Sequence, residues 1–198
     1  MTKIIKGNLV LKKDTIFTDD LIVKGNIEGE GHSLKVMGDI KANNITARDI
    51  SAHNIAADDI YAHSITDANI TARNILAIDI HGHDVITYQD INVDNIDADN
   101  IIAIKNLAAA SNINAKGYIR AHNIEAREIN ANKIDADLNI NAIDIKAKEK
   151  IDAQNIDAYD IIAPDINADF IITNKINKSP ASKLKAVKVI TNRSRLHA

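Results

Sequence analysis

From residue 40 to residue 176, apolar and polar positions follow a unit of five, Ile-x-Ala-x-[Asp/Asn]. Three consecutive copies read Ile45-Thr46-Ala47-Arg48-Asp49, Ile50-Ser51-Ala52-His53-Asn54 and Ile55-Ala56-Ala57-Asp58-Asp59. One anchor per unit gives 27 anchors, all Ile except Val85 and Leu107. Two residues after the anchor, 21 of the 27 are Ala, and one residue before it 20 are Asp or Asn. Twenty of the 26 intervals are five residues long and the other six are six, too regular for chance.

A period of five suits neither regular element by itself. A helix repeats every 3.6 residues and would spread the Ile around its circumference, while an unbroken strand repeats every two. Within one unit, however, anchor and Ala are two apart and share one side of an extended segment. Ile is β-branched and favours that backbone. Asp and Asn suit a corner, where short side chains bond nearby backbone. Segment and corner, repeated, close a coil, and coils stack at the interstrand distance of ~4.8 Å.

The expectation is therefore an all-β fold, a parallel quadrilateral β-helix (β-solenoid) over residues 40–177. At four units per coil the 27 anchors make about seven regular coils, or roughly 32 Å of axis. The six-residue intervals read as one-residue bulges at corners. A three-sided coil of six-residue units is the alternative, and the 20 five-residue intervals argue against it.

Composition sharpens this picture. Aromatic residues make up 3% of the chain and Trp is absent, so the interior must be narrow and filled by Ile and Ala. Without cysteine there are no disulfides or thiolate metal sites. No run approaches the roughly 18 apolar residues of a membrane span, and residues 1–6 do not read as a signal peptide. A cytoplasmic protein is expected. Residues 174–198 hold seven of the 24 Lys/Arg and no Asp or Glu, leaving 17 cations against 27 carboxylates, −10, in the body. An acidic body with a basic tail bears on partners rather than on fold.

The Asp/Asn-plus-centre pairs Asn54-Ile55, Asp59-Ile60, Asn69-Ile70 and Asn155-Ile156 resemble the motif of the pentapeptide-repeat proteins. The resemblance covers roughly residues 39–177 and implies that family's right-handed quadrilateral β-helix. The register is a variant. The family's small inward residue lies two before the centre, where this chain has Arg48, His53, Asp58, His63 and Arg73; here Ala lies two after it. The resemblance also implies one kind of function, because some members imitate DNA and bind type II topoisomerases.

Residues 1–39 hold five of the seven Gly, spaced between short apolar runs such as Leu9-Val10-Leu11 and Leu21-Ile22-Val23. They read as an irregular N-terminal β cap, similar to the strand-turn repeats of bactofilin-like polymer-forming proteins. Residues 178–198 read as a basic C-terminal cap or tail, with Lys183 to Ile190 as a capping strand or short helix.

Candidate chemistry is sparse. His53, His63, His83 and His122 each lie two before an anchor, and on four-unit coils His63 and His83 stack; a third metal ligand is missing, so solvated corner histidines are expected. Asp67 takes an inward Ala position, where Thr87 of the next four-unit coil would supply a hydrogen bond. No nucleophile–base set or phosphate-binding Gly loop is present, so no catalytic, cofactor-binding or metal residues are assigned and no cofactor is expected. Lys183, Lys185, Lys188, Arg193 and Arg195 are the interaction candidates. The expected role is a non-enzymatic structural or protein-binding scaffold presenting flat β-solenoid faces. Its partner would be protein or a second copy, rather than nucleic acid, a membrane or a small-molecule substrate. The alternative is a DNA-mimic-type protein that binds a type II topoisomerase or another DNA-binding enzyme.

Overall fold

The computed structural model describes residues 1–177 and 183–191, apart from the side chains of Asp67, Ala68, Asn177 and Val187. The chain is a parallel β-solenoid of about 11 turns, 79% strand, and the described residues contain no helix. No helix is therefore long and apolar enough to cross a membrane.

The register of the ladders corrects the number of sides. Ile60 pairs with Ile45 on one side and Ile75 on the other, so one coil is 15 residues, three units rather than four. The anchors form three columns. Face A carries Ile45, Ile60, Ile75, Ile91, Leu107 and Ile124 in register. Face B carries Ile50, Ile65, Ile80, Ile96, Ile113 and Ile129. Face C carries Ile40, Ile55, Ile70, Val85, Ile101 and Ile119. The solenoid is correspondingly longer and thinner than a four-sided one, with about 11 turns spanning roughly 50 Å.

Why three sides? A triangle encloses far less area per side than a square. Each side sends only one Ile and one Ala inward, with no aromatic ring to fill a wider lumen. Four such sides would surround a void, and interiors do not tolerate one. Every anchor from Ile40 to Ile171 is at most 2% exposed, and most of the Ala two residues on are buried beside them.

Several corners are turned without leaving extended backbone: Asp59–Ala72 and Asn74–Thr87 are single strands that pass through them. The Asp and Asn before the anchors accordingly bond between coils rather than locally. At the corner before face A the carboxamide of Asn123 donates to Asn106 (2.9 Å), that of Asn139 to Asn123 (2.8 Å) and that of Asn155 to Asn139 (2.9 Å). Where the ladder holds a carboxylate, the next coil supplies an amide donor: Asn74 to Asp59, Asn106 to Asp90, Asn54 to Asp39, Asn100 to Asp84 and Asn95 to Asp79. From residue 39 onward, carboxylates are thereby kept off successive rungs at the corners before faces A and C, whereas the corner before face B carries Glu128, Asp144 and Asp160 one coil after another.

The same columns extend into both terminal segments. Residues 3–36 form short strands in wider coils of 18 or 19 residues, for example Lys3↔Leu21↔Ile40. Gly enters where coils approach closely: a Cβ at Gly38 would fall on the Asp20 carboxylate, 2.1 Å from Oδ1. At the other end Lys183–Thr191 is a strand, not a helix, and pairs in parallel with Asp165–Asn177.

Two predictions test the packing. Ile70 is 1% exposed, whereas Thr71 faces solvent. Ile70→Ala should cost about 2–5 kcal/mol, Ile70→Asp should cost more, and Thr71→Lys should be near neutral. Thermal denaturation of the three variants checks this, and equal shifts for the first and third would refute the inside/outside assignment. Asn123→Ala removes two rungs of the amide ladder and should cost about 1–3 kcal/mol by urea unfolding, while Glu125→Ala on the exposed face beside it should not.

Candidate interaction surfaces

With Ile and Ala committed to the lumen, only the residue after each anchor and the corner residues face outward. Their chemistry differs from face to face, and two features stand out.

On face A a shallow groove of about 770 Å³ runs along the solenoid axis across the coils between Asn92 and Asn174. The outward positions of successive rungs are Glu125, Asn141 and Asp157, each following an anchor, with Ala108 one rung before them. The second wall is formed by Arg127, Ile143 and Tyr159, which lie three residues after their anchors. Tyr159 is held from beneath: the hydroxyl of buried Thr173 lies 3.1 Å from its carbonyl oxygen and 3.0 Å from that of Lys175.

The second feature is apolar. Ile86 and Ile102 are register partners on face C, one coil apart. The corners that follow are two of the six-residue intervals, and they turn Tyr88 (58% exposed) and Ile104 (57%) outward on the same two coils. Beneath them Thr87 replaces an inward Ala. It is 0% exposed, stacks on Ala72 and Ala103, and its hydroxyl has no partner.

The sequence-derived candidates are distributed as follows. His63 lies at the corner before face B and His83 at the corner before face C, so the stacking expected from four-unit coils does not occur. His83 instead meets Asp99 of the next coil, with Nδ1 3.0 Å from Oδ2, and Lys116 Nζ is 2.9 Å from the other carboxylate oxygen. Lys116 and then His83 hold the Asp99 carboxyl below the usual carboxylate range. His122 is 3.7 Å from Asp137. Among the described residues no three His, Cys, Asp or Glu side chains converge as a metal site. The side chain of Asp67 lies outside the described residues, and Thr87 is not its neighbour in register, because the three-unit coil sets Thr87 against Ala72. Lys183, Lys185 and Lys188 lie along the last strand, opposite Asp165, Asn167 and Phe170, and the Lys188 ammonium sits 5.8 Å from the Phe170 ring centroid. Arg193 and Arg195 lie outside the described residues.

The groove and the apolar cluster both escape a linear reading. Their residues are 15 to 17 positions apart and become neighbours only through the coil length.

One ion pair is sheltered enough to carry a pH signature. Arg73 donates to Asp59 (Nη2 to Oδ2, 2.8 Å), and together with Asn74 it holds the Asp59 carboxyl below its ordinary value. A depressed carboxyl stabilises the fold above its unfolded pKa of about 3.9, and that contribution disappears as pH falls through the folded value. Arg73 is half exposed, so solvent screens the pair and its contribution is small. The stability difference between the native chain and Arg73→Ala should therefore be constant above about pH 5 and shrink below about pH 4. Urea midpoints across that range check it.

In comparisons with known proteins, no family model matches this chain, and no curated protein or solved structure does either.

Proposed function

We propose that this β-solenoid is a non-enzymatic scaffold that holds a second protein against one of its flat faces. The apolar cluster of Ile86, Tyr88, Ile102 and Ile104 carries this reading. Contiguous exposed apolar side chains around an aromatic mark protein-binding surfaces. The surface is also preorganised. Ile86 and Ile102 stand on paired strand backbone, and the Tyr88 and Ile104 amides donate to Ala72 and Thr87 of the preceding coil, which limits the conformational entropy lost on docking.

Full-length protein and a Tyr88→Asp/Ile104→Asp variant, each immobilised, test the proposal against the host lysate, with light scattering to detect self-association. The variant should keep its melting temperature, since both side chains are exposed, and lose the partner or the self-association that the native chain shows. Equal recovery by both proteins would reject the cluster as the docking surface.

The resemblance to pentapeptide-repeat proteins offers a second reading, in which the acidic body, at −10, imitates DNA before a type II topoisomerase. A three-sided coil takes away the four-sided cross-section on which such mimicry would draw, leaving charge as its support. An unchanged gyrase supercoiling rate on titration with the protein would remove this reading.

A further inference from the structure

We propose that face C is the interface of an antiparallel two-fold dimer, so that the occupant of the apolar cluster is a second copy of this chain. The inference rests on the docking reading above and names the partner of that surface.

In a two-fold interface one patch meets itself, so residue i faces j and j faces i. Two solenoids laid face to face can be related by either of two such axes. An axis along the strands reverses the order of the coils and keeps each column over the same column of the other copy. Centred between the coils of Val85 and Ile101, it sets Ile86 on the partner's Ile102 and Tyr88 on the partner's Ile104. The cluster then covers itself. An axis along the solenoid instead keeps each coil over its own copy and exchanges the two margins of the face. It brings Asp84 against the partner's Tyr88 or the partner's Ile86, according to where the axis passes, and a carboxylate buried against an apolar side chain is costly. The cluster selects the antiparallel arrangement.

The charges on either side of the cluster follow the same reversal. Three coils before Val85, Asp39 and Lys41 flank the anchor Ile40. Three coils after Ile101, Lys150 and Asp152 flank the anchor Ile151 with the signs exchanged. Antiparallel stacking therefore sets Lys41 opposite the partner's Asp152 and Asp39 opposite the partner's Lys150, twice per dimer. On the coils between, Asn54 and Ala56 meet Lys133 and Asp135, while Asn69 and Thr71 meet Tyr118 and Arg120. The symmetry creates one like-charge contact, Asp58 against the partner's Asp137. It stands at the corner, on the margin of the interface where water and salt screen it, and His122 already lies 3.7 Å from Asp137. The eight coils from Ile40 to Ile151, each about five residues wide, offer about 600 Å² per copy. Counted over both copies, that reaches the lower bound of a specific interface, about 1,200 Å².

Sedimentation equilibrium of the full-length chain should show a monomer–dimer equilibrium that weakens with added salt. Lys41→Asp and Asp152→Lys should each weaken the homodimer by about tenfold or more. Mixing these two variants should restore association, because each changed charge then meets its opposite, a rescue that a folding defect would not give. The chain has no cysteine, so introduced ones report the arrangement directly. A short bis-maleimide should join Lys41→Cys/Asp152→Cys into a covalent dimer and should leave Lys41→Cys alone as monomer. Cross-linking of Lys41→Cys by itself would show parallel solenoids and overturn the inference, as would mixing without rescue. A chain that stays monomeric at millimolar concentration would overturn it too, yet the docking reading would stand if Tyr88→Asp/Ile104→Asp still abolished capture of another protein. A dimer that Tyr88→Asp/Ile104→Asp leaves intact would overturn both.

Discussion

Everything in this molecule depends on stacking like on like once per coil. A parallel ladder places each residue over its counterpart about 4.8 Å away. A side chain that fits one coil therefore has to fit against a near copy of itself. Ile over Ile and Ala over Ala satisfy that condition in the lumen, coil after coil, from Ile40 to Ile171. Each coil buries its inward residues against its two neighbours, so stability accumulates along the axis instead of around one centre.

The corners meet the same condition with polar chemistry. A carboxamide is both donor and acceptor, so Asn106, Asn123, Asn139 and Asn155 can bond in series indefinitely. A carboxylate only accepts, and two of them one rung apart repel. At the corner before face A the alternation of Asp and Asn, Asp59 under Asn74 and Asp90 under Asn106, satisfies that asymmetry, while the corner before face B carries Glu128, Asp144 and Asp160 on successive coils. Asp160 shows what happens without an amide donor: one of its oxygens is buried with no partner.

Freedom is left only outside. The outward positions carry no packing duty, so they can vary from coil to coil, and function has to be sought there. The six-residue intervals matter in this respect. An added residue at a corner cannot enter a filled lumen, so it swells outward, and at the corners after Val85 and Ile101 that swelling presents Tyr88 and Ile104 to solvent. The face A groove arises differently, from small and short side chains such as Ala108 and Asn141 along a flat sheet face.

Period, strand type, parallel stacking and the inside/outside assignment were all decided by the sequence, because a unit of five with Ile and Ala two apart has only one extended solution. The number of sides was not, since a single unit states that the chain bends but not by how much. Closure is a property of the whole coil, and it was settled by how little volume three Ile–Ala pairs can fill. Every neighbour relation across coils follows from that choice. With 15 to 18 residues per coil instead of 20, His63 parts from His83, Thr87 rests on Ala72, and Glu125, Asn141 and Asp157 line up in one groove. The carboxamides and carboxylates were legible as corner residues, but their bonding between coils was not, because hydrogen-bond partners 16 residues apart are defined only once the coil has closed.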